Sequence, residues 1–479
     1  MKNQFQTYQL SNEILEALTL LGYKEPTEIQ QDVIPVALAG RDIIAKSQTG
    51  TGKTAAFSIP ICENTQWEEN LPQALILEPT RELAVQVKEE IFYIGRKKRL
   101  KVPAVFGGFP IDKQIQTLQQ KSHIVVGTPG RVMDHIRRGS LNLEKVKYFV
   151  IDEADLMLDM GFLEDVKQLM DRIPASRQMM LFSATLGEEV KDLAEESMKN
   201  PVEIVKEETE ETVSEIEQFF YEAELEEKYD VLVSLLIQEN PQQCMIFCDT
   251  REMVNVLYRK LKRDHISCGM IHGELDQRER LQNIQNFRTG RFRYLIATDV
   301  AARGIDFEEM PLVINYDFPK GRETYVHRVG RTGRNGNIGK AVSLISSEET
   351  RMFKTVQAYI GKEIPVKNIP KRSELDEKRF WAEQKKKAVP KAQKGDALEQ
   401  AITHLVIGGG KKSKMRAVDI VGTLCNIDGM NASDIGIIDV RDSVTHVEIL
   451  HGKGDMVCQV LQKKPVKGKV RKVNIRRNR

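Results

Sequence analysis

The amino-acid sequence predicts an α/β protein: two parallel-sheet domains in tandem, followed by a small α+β domain. Three observations carry this reading. Short apolar runs of strand length and β-branching recur, each followed at once by a polar or glycine-rich segment. The recurrence pauses over the acidic, strand-poor stretch 206–212 and then resumes. From about residue 371 it gives way to a charged connector, and then to the order strand, helix, strand, strand, helix, strand.

In the first domain the runs 42–45, 74–77, 124–126, 149–151 and 179–182 lead into polar segments at 47–54, 79–83, 128–131, 152–155 and 183–185. Helical stretches such as 81–91 intervene. Continuous apolar strands alternating with helices mean a parallel sheet covered on both faces. Polar residues just past the strands then sit at the carboxyl edge, where open α/β sheets bind ligands. The runs 245–247, 294–297 and 312–315 repeat the pattern in the second domain. The last part has strands at 404–407, 435–440, 444–450 and 470–475 and helices at 417–426 and 453–461, a ferredoxin-like or RRM order. The expected boundaries are 1–205, a linker 206–214, 215–370, a charged and partly helical linker 371–400, and 401–479.

Composition bounds the class. A chain of 479 residues, 41% of them hydrophobic, is long enough for two or three packed cores. No apolar run reaches the roughly 18 residues a membrane helix needs. The first ten residues lack the apolar core of a secretory signal. Six cysteines lie scattered without C-x-x-C spacing, which argues for a reduced, cytoplasmic protein; Cys244 and Cys248, astride a buried strand, read as small core residues. Charge is uneven. The net of +2 divides into −9 over residues 1–370 and +11 from Lys371 onward. The last 19 residues hold nine basic and no acidic side chains. A basic end on an acidic body points to nucleic acid; a solvated solubility tail is the plain alternative.

The segment Ser47-Gln48-Thr49-Gly50-Thr51-Gly52-Lys53-Thr54 resembles a P-loop, with Ser47 where the signature has glycine. Glycines let backbone N–H groups close around phosphates, and the helix that follows adds its dipole. Lys53 offers a cation to the β- and γ-phosphates and Thr54 a hydroxyl to Mg²⁺. A glycine-rich turn with a chance lysine would not need a strand before it and a helix after it. Asp152-Glu153-Ala154-Asp155 ends an apolar strand, where carboxylates are costly unless they serve a metal or a proton. Asp152 reads as facing Mg²⁺ through water and Glu153 as polarising the attacking water. Alone, the tetrapeptide would suit a solvated helix start.

Taken with Ser183-Ala184-Thr185, Pro79-Thr80-Arg81-Glu82-Leu83 and Thr128-Pro129-Gly130-Arg131, the tetrapeptide resembles the DEAD-box RNA helicase family, over about residues 5–334. The resemblance implies two RecA-like domains of the P-loop NTPase fold, with ATP and RNA bound across the cleft between them. Gly22-Tyr23 and Pro26 to Gln30, with Phe5 upstream, match the family's Q motif. Gln30 would read the adenine edge with one donor and one acceptor, and Tyr23 would stack on the base. In the run His327 to Arg334, the residues matching Arg331 and Arg334 would reach the γ-phosphate as arginine fingers, worth ~10³–10⁵ in rate. Asp306 would take the ribose hydroxyls. Ser183, Thr185, Asp155 and His327 would couple nucleotide state to closure.

The same resemblance implies an RNA path. Thr80, Arg81, Gly107, Gly108, Thr128, Gly130 and Arg131 would line it on the first domain. Thr250, Arg251, Gly273, Gln277, Arg280 and Thr298 would line it on the second. Small residues, hydroxyls and guanidiniums suit backbone reading. Glu78 departs from the small residue the family usually has before Pro-Thr-Arg. By its domain order, its run Lys411 to Asp419 and its segment Asp434 to Ile438, the tail resembles the RNA-binding domain of the DbpA-type branch, tied to large-subunit ribosomal RNA. Its first and third strands contain no Phe, Tyr or Trp, so the usual stacking sheet is not expected. Lys411, Lys412, Lys414, Arg416 and the basic end would grip an RNA hairpin, with His446 as a stacking ring; a protein-docking domain is the other reading.

The expected function is an ATP- and Mg²⁺-dependent RNA helicase that remodels ribosomal RNA during ribosome assembly, without membrane partners. The competing readings are an ATP-gated RNA clamp with little unwinding, and a DNA helicase on a related core, against which the tetrapeptide, the Q motif and the tail argue.

Overall fold

The structure, a computed structural model, describes residues 4–47, 50–206, 216–302, 305, 307, 310–333, 339–386, 388, 390, 391 and 394–476. The first domain holds seven parallel strands: β1 (Ile43–Lys46), β2 (Ala74–Leu77), β3 (Ala104–Val105), β4 (Ile124–Gly127), β5 (Tyr148–Ile151), β6 (Gln178–Ser183) and β7 (Val202–Val205). Their order across the sheet is β3-β4-β2-β5-β6-β1-β7. Side-chain alternation divides the core in two. Ala74, Ile76, Val150, Met180 and Phe182 pack with the helices Lys53–Asn64 and Arg81–Ile94. Leu75, Leu77, Phe149, Ile151, Met179 and Leu181 pack with Leu163–Met170 and Glu188–Ser197 on the opposite face. Continuous apolar strands are what a sheet buried on both faces requires.

The second domain repeats the design with β8 (Glu217–Glu222), β9 (Cys244–Cys248), β10 (Cys268–Ile271), β11 (Tyr294–Thr298), β12 (Leu312–Asn315) and β13 (Lys340–Ile345), all parallel, in the order β10-β11-β9-β12-β13-β8. Cys244 and Cys248 are fully buried in β9. The linker read at 206–214 falls almost wholly outside the described residues.

The third domain is an antiparallel sheet of β14 (Thr403–Gly408), β15 (Ile435–Val440), β16 (Val444–Ile449) and β17 (Val473–Ile475), ordered β15-β16-β14-β17, with helices Ala417–Cys425 and Gly454–Leu461. Leu405, Ile407, Val447 and Ile449 point into its core. The alternate positions His404, Val406, His446 and Glu448 lie on the outer face.

The charged connector is structured at both ends. Residues Glu374–Lys385 form a helix against Lys228–Glu239, with Phe380 fully buried in the second domain's core. Lys391 N donates to Thr289 O of the same domain at 2.9 Å. Beyond it the chain meets the first domain. Arg96, whose side chain is 3% exposed, pairs with Glu399 and with Glu448 of β16, each at 3.0 Å. Lys101 Nζ donates to Ile438 O of β15 at 3.1 Å. The third domain is thus docked on the first through the β15 edge and the adjoining outer face. Among the described residues no helix is long and apolar enough to cross a membrane.

Candidate active site and RNA groove

The phosphate loop follows β1. Gly50 and Gly52 have φ of +85° and +94°, a conformation L side chains rarely adopt. At Gly52 a Cβ would also lie 2.4 Å from Gln30 Nε2, so the position admits no side chain. The Q motif is bonded into this loop. Thr27 Oγ1 donates to Thr51 O at 2.8 Å, and Gln30 Nε2 donates to Gly52 O at 3.2 Å while its Oε1 accepts from Thr27 N at 3.0 Å. The Gln30 amide therefore spends one donor and one acceptor on the loop and the helix start. Ser47 Oγ lies 2.6 Å from Thr51 Oγ1, and Ser47 N donates to Ser183 O. Thr54 is half-buried in the first turn of the helix. Gln48 and Thr49 lie outside the described residues.

Lys53 is 5% exposed and its Nζ donates to Glu153 Oε1 at 2.8 Å. Burial works against the ammonium, but Glu153, Asp152 and Asp155 outweigh it and raise its pKa. Burial pushes the Asp152 carboxyl up, with Lys53 opposing. Glu153 stands at φ +48°, a left-handed conformation costing a non-glycine residue about 1–2 kcal/mol. That turn ends β5 and opens the helix Ala154–Asp159. Asp155 N donates to Ser183 Oγ at 3.2 Å, and Thr185 donates to Asp155 Oδ2 from N at 2.8 Å and from Oγ1 at 2.9 Å. The structure thus brings these residues together as two bonded groups, Lys53 with Glu153 and Asp152, and Asp155 with Ser183 and Thr185, joined by the turn 152–155.

Tyr23 is placed less simply. Its ring meets Phe5 edge-on at 5.9 Å, and its hydroxyl bonds to Glu90. Lys394 of the connector donates to that hydroxyl at 2.7 Å and lies over the ring, 4.5 Å from its centroid.

On the second domain, His327 is exposed on the helix Arg322–Val329, and Arg331 Nη1 donates to Ile305 O at 2.9 Å. Asp306 and Arg334 lie outside the described residues. Arg328, passed over in the sequence, is the anchor of this region. It is 1% exposed, grips Asp299 with Nε and Nη2, and reaches Asp249 at 3.2 Å, Asn315 at 3.3 Å and Asp317 O at 2.6 Å. Its density of cations and glycines marked the segment, but its acidic partners are 29 and 79 residues away.

The two walls of the expected RNA path meet. Arg81 Nη1 donates to Gln277 Oε1 at 3.0 Å, Gln277 Nε2 donates to Glu82 Oε1 at 2.8 Å, and Arg280 pairs with Glu82 at 3.1 Å. Glu82 is a second residue that sequence reasoning quoted without assigning. Gly108, at φ +73°, makes room for Arg81, since a Cβ there would sit 2.2 Å from Nη1; Gly107 flanks the same guanidinium. Thr80 and Thr250 have the same local task on the two domains. Each accepts from a backbone N–H and caps its helix, Leu83 N at 3.2 Å and Met253 N at 3.1 Å. Thr128 stands at the N-cap of Pro129–Arg137 with Gly130 exposed in its first turn, and Arg131 Nη1 donates to Phe109 O. Gly273 and Arg251 are exposed, Arg251 pairing with Glu252 and Glu274, and Thr298 closes β11.

In the third domain Lys411, Lys412, Lys414 and Arg416 are exposed. Lys467 donates to Lys414 O and to Asp419 at 2.8 Å, and Arg471 Nη1 donates to Gly408 O at 3.1 Å. Two basic loops therefore converge at the end of β14, and the first is also bonded to the β15–β16 turn, Lys411 N donating to Arg441 O at 2.7 Å. His446 is half-buried on the outer face of β16, opposite Val406.

Comparison with known proteins decides the family. Family models match in the order of the domains: DEAD/DEAH box helicase over residues 27–193, helicase conserved C-terminal domain over 227–336, and DbpA RNA binding domain over 404–477. The chain belongs to the DEAD-box helicase family. It is 50% identical to the ATP-dependent RNA helicase DbpA of Bacillus subtilis over 474 residues, 98% of this chain and 99% of that one. It is 41% identical to the DEAD-box ATP-dependent RNA helicase CshA of Bacillus subtilis over 353 residues, 74% of this chain and 72% of that one. Among solved structures it is similar to Saccharomyces cerevisiae Dbp5 bound to RNA and ADP BeF3, with a TM-score of 0.69, 34% identity, and coverage of 80% of this chain and 100% of that one. This DEAD-box protein is an ATP-dependent RNA helicase of DbpA type, an RNA-stimulated ATPase with two RecA-like domains and an RNA-binding third domain.

Proposed function

We propose that this helicase remodels structured RNA of the large (23S-type) ribosomal subunit during ribosome assembly in the cytoplasm, its third domain holding it to one RNA element. The observation that carries this reading is the disposition of the third domain. Its outer sheet face is tied to the first domain through Glu448 and carries no Phe, Tyr or Trp, while Lys411, Lys412, Lys414, Arg416 and Lys467 stand exposed on two neighbouring loops. A basic loop surface without a stacking platform suits the phosphates of a folded hairpin. Tethering by that surface makes the weaker contact of the helicase core with neighbouring RNA effectively intramolecular.

For the ATP step, the phosphates replace Glu153 as the partner of Lys53, which frees the Glu153 carboxylate to take a proton from the attacking water. Gln30 and Tyr23 select the base, Asp306 holds the ribose, and Arg331 and Arg334 meet the developing charge on closure. The donor set fits a hydrated Mg²⁺, which Thr54 and Asp152 would hold, neutralising phosphate charge. Among the described residues no three carboxylates, thiols or imidazoles converge to ligate an ion directly, which suits a cation that keeps several waters. Ser183 and Thr185, bonded to Asp155, and His327 relay the change in nucleotide state.

The test is the steady-state ATPase rate of the whole protein with no nucleic acid, DNA, generic RNA and large-subunit ribosomal RNA. A selective rise with ribosomal RNA is expected; equal stimulation by every RNA would retire the tethering reading. Glu153→Gln keeps the size of the side chain and removes the base. It is expected to hold ATP and RNA together without turnover, read as slow RNA release in ATP; rapid hydrolysis would contradict the role of Glu153.

A further inference from the structure

Strands β2 and β5 lie side by side with Leu77 opposite Ile151, so the next residues outward, Glu78 and Asp152, are neighbours beyond the strand ends. Alternation fixes where they face. Ile76 and Val150 pack on the side of the P-loop helix, and Leu77 and Ile151 on the other. Glu78 and Asp152 therefore both face the phosphate loop. There Glu78 is 0% exposed, and neither of its carboxylate oxygens has a hydrogen-bond partner. Its backbone N–H is already satisfied, donating to Gly127 O at 3.0 Å, so that bond does not depend on this side chain. A buried carboxylate without a partner is among the costlier arrangements a fold can hold.

What surrounds it says what completes it. Asp152 and Glu153 are 3% and 8% exposed, and the cation buried with them, Lys53, is committed to Glu153 at 2.8 Å. Asp155 is already engaged by Thr185 and Ser183. Three carboxyl groups share one pocket with one ammonium, and in ionised form a doubly charged cation balances them. We propose that Glu78 is an additional carboxylate of the divalent-cation site, accepting hydrogen bonds from the ion's water shell beside Asp152 and raising the affinity for Mg²⁺ in the nucleotide complex. Contact is through water, as suits a Mg²⁺ that keeps most of its hydration shell. This inference rests on the Mg²⁺ reading above and adds a residue to it.

The test uses the full chain with Glu78→Gln and Glu78→Ala. The affinity of a fluorescent, non-hydrolysed ATP analogue is titrated against Mg²⁺. Mn²⁺ bound with the nucleotide is counted by electron paramagnetic resonance, and thermal melting is followed without metal or nucleotide. Both variants are expected to need about tenfold more Mg²⁺ for half-saturation, the loss typical of a hydrogen-bonding partner beyond the metal's direct ligands. Both should melt no lower than the parent protein, which shows that they fold. Unchanged Mg²⁺ and Mn²⁺ dependence in folded variants would make Glu78 a merely buried residue and overturn the inference. A parent protein whose nucleotide affinity ignores Mg²⁺ would overturn the Mg²⁺ reading itself, and Glu78's part with it.

Discussion

Lys53→Ala is expected to abolish RNA-stimulated ATP hydrolysis, lowering the rate by at least about 10³, the scale of losing a preorganised charge on the reacting phosphates. The size follows from the pocket. Lys53 is the buried ammonium among Asp152, Glu153 and Glu78, and its Nζ is held at 2.8 Å by the proposed base. Removing it takes away the cation for the phosphates and leaves Glu153 buried beside other carboxyls without its 2.8 Å partner. RNA binding by the third domain should survive, because its basic loops belong to a separate domain with its own sheet and core. Steady-state hydrolysis at saturating RNA, with RNA binding measured separately, checks both halves. Retained hydrolysis would remove Lys53 from the phosphate site.

Arg328→Ala should destabilise the second domain by about 3–5 kcal/mol, the usual result of breaking a buried ion pair from one side. The guanidinium is 1% exposed and joins β9, β11 and β12 through Asp249, Asp299, Asn315 and Asp317 O. Truncation leaves Asp299 half-buried without its two-point partner. Lysine cannot substitute, since one ammonium cannot span partners arranged for a planar fork. Chemical denaturation followed by probes in each domain would report the loss, which should be confined to the second. A change under about 1 kcal/mol, the size of an exposed pair, would mean the network is not structural.

The strands were legible in the sequence because burial on both faces demands unbroken apolar runs, and the phosphate loop because its glycines and lysine are contiguous. Ser183, Thr185 and Asp155 were legible as a set, and their bonding follows from β5 and β6 being neighbours. The rest depended on distance along the chain. Arg96 meets Glu399 and Glu448, more than 300 residues away, and nothing local in either segment signals the other. Phe380 is an apolar residue within a charged stretch, and its place in the second domain's core shows only in the fold. Glu153 gave no hint of its left-handed backbone, since glutamate has no preference for it. Tyr23 was read from its ring alone, while the structure also employs its hydroxyl, bonded to Glu90 and Lys394.

The fastenings of the connector set a length. Lys391 is bonded to the second domain through Thr289, and Lys394 to the first through Glu90. Three residues of fully extended chain reach roughly 10 Å. The connector therefore works as a short leash across the two RecA-like domains. The two points of attachment can stand no farther apart than about that before one fastening slips. The first to slip is Lys394, whose side chain is 46% exposed and whose surface pairing is weak. The next knot is Glu399 on Arg96, eight residues from Lys391 and roughly 27 Å at full stretch. Opening of the cleft thus has two stops, both set by the number of residues in the connector rather than by the cleft.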